Sequence, residues 1–423
     1  MVMEIALSVV NFFWVGKLGP AAQDAVTSSM VLHWVIFSTL SIVTIGVTAL
    51  VSRHIGAKEP DKASYYVSQA FWLAIALAIL LTSAGLLLGP TILHFMNTGP
   101  DTMVLAAPYL RIFFLTAIFF AIFDTVAATF RAAGDTKTPT IVAALTIALN
   151  ILLDYLLIFG IGPFPEMGVP GAALGTLIST IVAAAISIVL LVKGKSGFKV
   201  PDLFRKAPHF PSLLKIGRIG LPIATQQLIF IAVYWFLIRI VHHFGEPAGA
   251  AMGIGNRMES LSYLTCSGFA MAASTMVGQN LGAGNPDRAE KCAWGAAGLA
   301  VAFTTAMGAI FVIFPDLIVN IFTDDQSVHV IAADYLIILG LSQMTMALEI
   351  VIEGAFAGSG DTIPPMAVMI PGAVVRVPLA YYLAFDLGWG INGVWWTLTI
   401  TTTIKAIILA IWFRRGRWKL RKL

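Results

Sequence analysis

Charge is what this sequence has least of. Asp, Glu, Lys and Arg together make up 11% of its 423 residues, against about 25% in a soluble globular protein. A domain in water needs a polar shell, and this chain has too little charge to build one. With 58% of its residues hydrophobic, lipid is the solvent that fits. Cysteine is scarce as well. Cys266 and Cys292 are too few for a disulfide framework, and both fall in or beside apolar stretches as packing residues. No Gly-rich loop is followed by a Lys in the manner of a nucleotide cradle. Energy for any work must then come from an ion gradient or a partner. The opening residues lack the basic, apolar, small order of a cleavable signal peptide. The formal charge of +4 does not point to nucleic acid, because the basic residues are confined to a few short loops and the C-terminus.

What the sequence has instead is long apolar runs. They cover Met1–Val15, Val26–Val51, Tyr65–Leu88, Val104–Ala128, Thr138–Phe159 and Gly171–Val192, then Ile216–Val241, Gly249–Val277, Cys292–Phe314, Val328–Phe356, Ile363–Phe385 and Ile391–Phe413, twelve in all. Most are long enough for a helix to cross a bilayer, which takes about 20 residues. The short alternating strands of a membrane barrel are absent. Lys and Arg follow every second run except the tenth, whose loop has none: Arg53, Lys58 and Lys62; Arg131 and Lys137; Lys193 through Arg218; Arg288 and Lys291; and the tail from Arg414 to Lys422. The loops between hold Lys17 alone among basic residues. The bias predicts even-numbered loops and the C-terminus in the cytoplasm of a multi-pass plasma (inner) membrane protein.

The sequence repeats itself at an offset of 226 residues. Val51–Asp61 (VSRHIGAKEPD) aligns with Val277–Asp287 (VGQNLGAGNPD), and Phe130–Pro139 (FRAAGDTKTP) with Phe356–Pro365 (FAGSGDTIPP). Tyr109-Leu110 falls on Tyr335-Leu336, and Gly19 on Gly245. The expected fold is therefore an all-α polytopic membrane protein of twelve transmembrane helices. It forms two six-helix bundles related by a pseudo-two-fold axis along the membrane normal, with a cleft between them. The expected divisions are a bundle at 1–192, a basic linker at 193–215, a second bundle at 216–413 and a basic tail at 414–423. Aligned with the seventh span, the first one is short by about ten to fifteen residues, which reads as a truncated start. The Gly-Asp-Thr loops at Gly134–Thr136 and Gly360–Thr362 read as tight turns with a helix cap.

A charge in mid-membrane is costly and needs a reason. The first half holds Asp124, Asp154 with Asn150 one turn before it, and Asn11. A carboxylate beside amide oxygens is a nest for a proton or Na⁺. The second half holds Glu349 and Glu353 one turn apart, Glu259 beside Arg257 and Asn256, the pair Gln226-Gln227, and Arg376 and Lys405 as partners for acids. Of these, Glu349, Glu353, Glu259, Arg257 and Gln227 are a second candidate coupling or substrate site; Arg376 and Lys405 either partner acids or snorkel, and Asn256 with Arg257 equally fits an interhelical polar contact. Trp34, Phe37, Met258 and Tyr263 are candidates for a substrate cleft that adapts to apolar cations.

Taken together, these stretches resemble the multidrug and toxic compound extrusion (MATE) transporters of prokaryotes. The resemblance rests on Phe12–Gly19 (FFWVGKLG), Ile55–Lys62, Phe130–Pro139, Asn150–Asp154 (NILLD), Asn280–Ala289 (NLGAGNPDRA) and Gly354–Thr362 (GAFAGSGDT). It implies a non-enzymatic antiporter, driven by H⁺ or Na⁺, that exports amphipathic, cationic organic compounds by alternating access. It implies no other cofactor and no nucleotide, with lipid and organic solutes as partners and a monomeric working state. It also implies ion ligands at Asn150 and Asp154, an Asp where this sequence has Asn11, and a hydroxyl near Ala172. Thr176, one turn on, is the candidate substitute for that hydroxyl. An amide at position 11 can ligate Na⁺ but cannot take up a proton. Other branches of the family use acids comparable to Glu259, Glu349 and Glu353, so either bundle remains a candidate for coupling. A flippase for lipids or lipid-linked precursors and an exporter of one metabolite are the alternative readings.

Overall fold

The computed structural model describes residues 12–95, 100–200, 203 and 206–423. Asn11 lies outside them. All regular elements among the described residues are helical. Residues 12–16 close a helix, α1. It is followed by α2 (Pro20–Gly56), α3 (Pro60–Phe95), α4 (Pro100–Ala132), α5 (Lys137–Phe159), α6 (Val169–Val192) and α7 (Phe210–His242). Then come α8 (Glu246–Gly282), α9 (Pro286–Ile313), the short α10 (Pro315–Val319), α11 (Gln326–Ser359), α12 (Ile363–Val374), α13 (Arg376–Tyr381) and α14 (Ile391–Arg414). Ten of the described helical stretches are long and apolar enough to cross a membrane. The first of the twelve expected spans lies mostly outside the described residues. The eighth, α8, is 37 residues long but is not among the ten. Its middle carries Asn256, Arg257 and Glu259, groups that a membrane helix can hold only against protein or water.

The eleventh span is not one helix. α12 ends at Val374 and α13 starts at Arg376, with a five-residue π turn, Tyr382–Asp386, after it. Pro378 explains the break: it has no N–H for the carbonyl of Val374, and its ring crowds that turn.

The chain divides into two compact units, Met1–Ile55 with Glu59–Gly220, and Leu221–Leu423 with Gly56–Lys58. In the first, α6 packs on both α4 and α5. In the second, α11 is the central helix, lying against α8, α9 and α14. Two turns show why the loops read as they do. Gly160 ends α5 in the left-handed region (φ 65°), where a side chain would also strike the backbone of Glu166. Asp135 caps α5, its carboxylate accepting from the amide and hydroxyl of Thr138 at 3.0 and 2.6 Å.

The basic linker is fastened to α3. The Gln69 amide donates to the Ala207 carbonyl (3.0 Å) and accepts from the His209 amide (2.7 Å), while Trp72 Nε1 donates to the Lys206 carbonyl (2.9 Å). The C-terminal tail is also fastened. Trp418 is buried and stacked on Phe413 at 4.5 Å, and Lys419 Nζ reaches Glu290 at 2.6 Å and Asp287 at 3.0 Å.

Candidate functional site

In the first unit three of the expected ligands meet. Asn150 and Asp154 lie one turn apart on α5, and both are fully buried. Asn150 Nδ2 donates to Asp154 Oδ1 (3.1 Å) and to Thr176 Oγ1 (3.3 Å), and the Thr176 hydroxyl donates to the Ala172 carbonyl (3.0 Å). The two helices approach closely here because α6 has Gly175 at the crossing. A Cβ at that position would run into Asp154 Oδ1. Gly171, one turn earlier, similarly faces the Leu157 carbonyl.

This wiring uses up the donors and leaves acceptors. Asn150 Oδ1 and Asp154 Oδ2 are buried with no hydrogen-bond partner among the described residues. A buried oxygen of this kind costs about 1–3 kcal/mol when unpaired, and more when charged. Two such oxygens beside a hydroxyl suit a hard cation or a proton. The rim is aromatic. Tyr109 on α4 lies within electrostatic reach of Asp154, and Trp14 from α1 packs on Tyr155 at 5.1 Å and Phe159 at 5.8 Å. Val15, Ile158 and Ala172 complete an apolar cluster next to the site. Tyr109 and Trp14 escaped sequence reading as site residues, although the match of Tyr109 to Tyr335 across the repeat marks the position.

Asp124 does not join this group. It pairs with Arg131, two turns along the same helix, at 3.4 Å.

Two acids of the second unit are each engaged through one oxygen, while Glu349 Oε2 is buried without a partner among the described residues. Glu349 Oε1 takes Lys405 Nζ of α14 at 2.6 Å, and both residues are buried. Gly372 of α12 makes room for the Lys405 stem, since a Cβ there would meet its Cγ and Cδ. Glu353 Oε1 accepts from Gln226 Nε2 of α7 at 2.8 Å. The neighbouring Glu349 and Glu353 thus face different partners, Lys405 and Gln226. Arg376 is buried and donates from Nε to Thr401 Oγ1 and from a terminal nitrogen to Thr402 Oγ1, each at 2.8 Å. Glu349 and Glu259 supply the negative charge around it. Asn256 donates to the Tyr234 hydroxyl, whereas Arg257 is exposed. Tyr335 stacks on Trp395 with ring centres 4.0 Å apart.

The aromatic candidates are more dispersed. Trp34 and Tyr263 are left uncovered by the rest of the chain, Phe37 sits near Phe120, and Met258 packs on a buried cluster of the second unit.

With this geometry in hand, the relatives can be placed. The MatE family model matches residues 1–156 and 222–382. A probable multidrug resistance protein NorM from Thermotoga maritima is 30% identical over 424 aligned residues, covering 99% of this chain and 90% of that protein. One from Bacillus cereus is 27% identical over 97% of this chain and 92% of its own. Among solved structures, an outward-facing multidrug resistance MATE family transporter of the MOP superfamily superposes with a TM-score of 0.90. It is 23% identical, and the match covers 100% of this chain and 94% of that one.

Proposed function

The chain belongs to the MatE family of membrane transporters, and from that premise we propose that it exports amphipathic, cationic organic compounds in exchange for H⁺ or Na⁺. The observation that carries the coupling site is the pair of unpartnered buried oxygens, Asn150 Oδ1 and Asp154 Oδ2, beside Thr176. In the second unit Glu349 Oε2 and Gln226 Oε1 are also buried without a partner among the described residues, but there Glu349 already carries a bound cation, Lys405, on its other oxygen. Glu353, held by an amide and not a cation, is the acid we assign to the charge of an incoming substrate. Multidrug resistance is the function for which the similar proteins from Thermotoga maritima and Bacillus cereus are named.

In this scheme substrate is taken up with the bundles open to the cytoplasm, the side of the basic loops and of the C-terminus in the plasma membrane. An ion arriving from outside binds at Asp154, substrate leaves, and the bundles return by alternating access. One charge moving through 100 mV contributes about 2.3 kcal/mol before any concentration gradient, enough to hold a useful substrate gradient. A drug-sensitive host lacking its own exporters provides the test. Wild type should raise its tolerance to cationic dyes and drugs, and Asp154→Asn, expressed to the same level, should not. Full tolerance with that variant contradicts the assignment.

A further inference from the structure

The repeat offset of 226 residues can be applied to the site itself. Asn150 falls on Arg376, Asp154 on Ala380, Thr176 on Thr402 and Gly175 on Thr401. Three of these four positions differ, and the three replacements form one consistent exchange. In the first unit, position 175 must be glycine because the Asp154 carboxylate sits against it. In the second unit the carboxylate is gone, with buried Ala380 in its place. The space at position 401 holds a threonine whose hydroxyl accepts from Arg376 Nε. The contact between Asn150 and Thr176, 3.3 Å, becomes the contact between Arg376 and Thr402, 2.8 Å. The flanking tyrosine is common to both: Tyr109 near Asp154, Tyr335 near Arg376.

The polarity is reversed between the two. The first unit presents oxygen acceptors with no donor. The second presents a positive group that donates to two hydroxyls, with the negative charges of Glu349 and Glu259 around it. The face of the guanidinium also lies 5.8 Å from the Phe230 ring centre, a cation–π distance. Positions 349 and 259 correspond to Phe123 and His33 in the first unit, so the acids that surround Arg376 have no counterpart there.

We propose that Arg376 is a tethered cation standing in the second unit where an exchangeable cation binds in the first, so that this transporter has one exchangeable coupling site and not two. The inference rests on the reading of Asp154 given above. It adds that the second unit keeps its positive charge covalently through the cycle, because a guanidinium cannot give up its proton under physiological conditions. Removing the guanidinium should convert a closed site into an open one. Two threonine hydroxyls would then face the vacated space, with the charges of Glu349 and Glu259 in its surroundings, and a small cation can fill it.

The test follows thermal unfolding of the purified protein in detergent as NaCl or guanidinium chloride is titrated at low concentration, with choline chloride holding ionic strength constant. Asp154→Asn should abolish the cation response of wild type. In that background, Arg376→Ala should lower the unfolding temperature, and guanidinium should restore it along a saturable curve. Arg376→Lys, which keeps a tethered charge, should show no such response. If the Arg376→Ala variant responds no more than its parent, the tethered-cation proposal is wrong. If Asp154→Asn alone keeps the wild-type response, the reading of Asp154 fails, independently of what Arg376→Ala does. Direct cation counting covers the case where Arg376→Ala does not fold. One cation per wild-type molecule and none in Asp154→Asn supports the proposal. Two in wild type and one in Asp154→Asn overturns it while leaving Asp154 in place.

Discussion

The two halves of this protein descend from one pattern and have spent their buried polarity in opposite ways. α5 of the first half runs unbroken from Lys137 to Phe159 and carries Asn150 and Asp154. Its counterpart in the second half breaks at Val375, and Arg376 follows the break. Both halves leave buried oxygens without donors among the described residues, Asn150 Oδ1 and Asp154 Oδ2 in the first and Glu349 Oε2 and Gln226 Oε1 in the second. Only the second sets buried cations among them, Lys405 on Glu349 and Arg376 on two threonines. The proposed reading is that a duplicated membrane bundle need not duplicate its ion chemistry, with one copy open to an exchanging ion and the other holding its cations on its own side chains.

The largest expected effect separates the halves directly. In proteoliposomes, Asp154→Asn should reduce gradient-driven export to the level of empty vesicles. Exchanging both members of the ion pair in the second half, Glu349→Gln with Lys405→Met, should leave a measurable gradient response. The second effect is on stability. Lys405→Met alone strands a buried carboxylate and should cost about 3–5 kcal/mol, read by thermal unfolding. The double variant should recover much of that loss, and a coupling energy near zero between the two sites would show that the pair is not closed.

Much of this architecture was legible in the sequence, for physical reasons. The deficit of charge forced the chain into lipid, and basic residues after every second run but the tenth set the spacing of the spans. The Asn150–Asp154 spacing of one helical turn put both groups on one face, and Thr176 joined them as expected. What was not legible depended on long-range packing. Nothing local to Glu349 and Glu353 reveals that one takes Lys405, 56 residues on, and the other Gln226, 127 residues back. The spacing suggested two coupled acids, and the fold gives each its own partner. Nothing local to Asp124 reveals its contact with Arg131, two turns on. Arg376 was visible as a buried charge, and the same offset that revealed the repeat places it on Asn150.

Smaller effects sharpen the comparison. Thr401→Ala removes one hydroxyl from Arg376 and should destabilise by about 1.5–3 kcal/mol, the range for a hydrogen bond to a charged group. Gly175→Ala at the matching position should instead weaken cation binding, because the added methyl group pushes on Asp154 Oδ1. Calorimetric or fluorescence titration of the coupling ion distinguishes the two outcomes.

The smallest effects concern the matching loop acids, Asp135 and Asp361. Desolvation alone would raise Asp135, but hydrogen bonds from Thr138 and the Lys137 amide outweigh it and hold the carboxyl below the usual carboxylate range. Asp361 is raised by burial, only partly offset by Arg421. A depressed folded-state value gives stability that is present above the unfolded value, about 4, and is lost as pH falls through the folded one. A raised value works the other way: the charged form is the strained one, and stability is gained as the proton binds. Unfolding temperatures from pH 7 to pH 3 should therefore show Asp135→Asn flattening the acid loss and Asp361→Asn slightly raising stability at neutral pH.

The most direct measurement is ion flux counted against substrate flux in proteoliposomes with H⁺ and Na⁺ gradients imposed separately, comparing wild type with Asp154→Asn. Substrate movement coupled to one of the two ions in wild type, and no coupled movement of either in the variant, is the predicted result. Undiminished coupling in Asp154→Asn would place the exchanging ion elsewhere and contradict the contrast between the two halves.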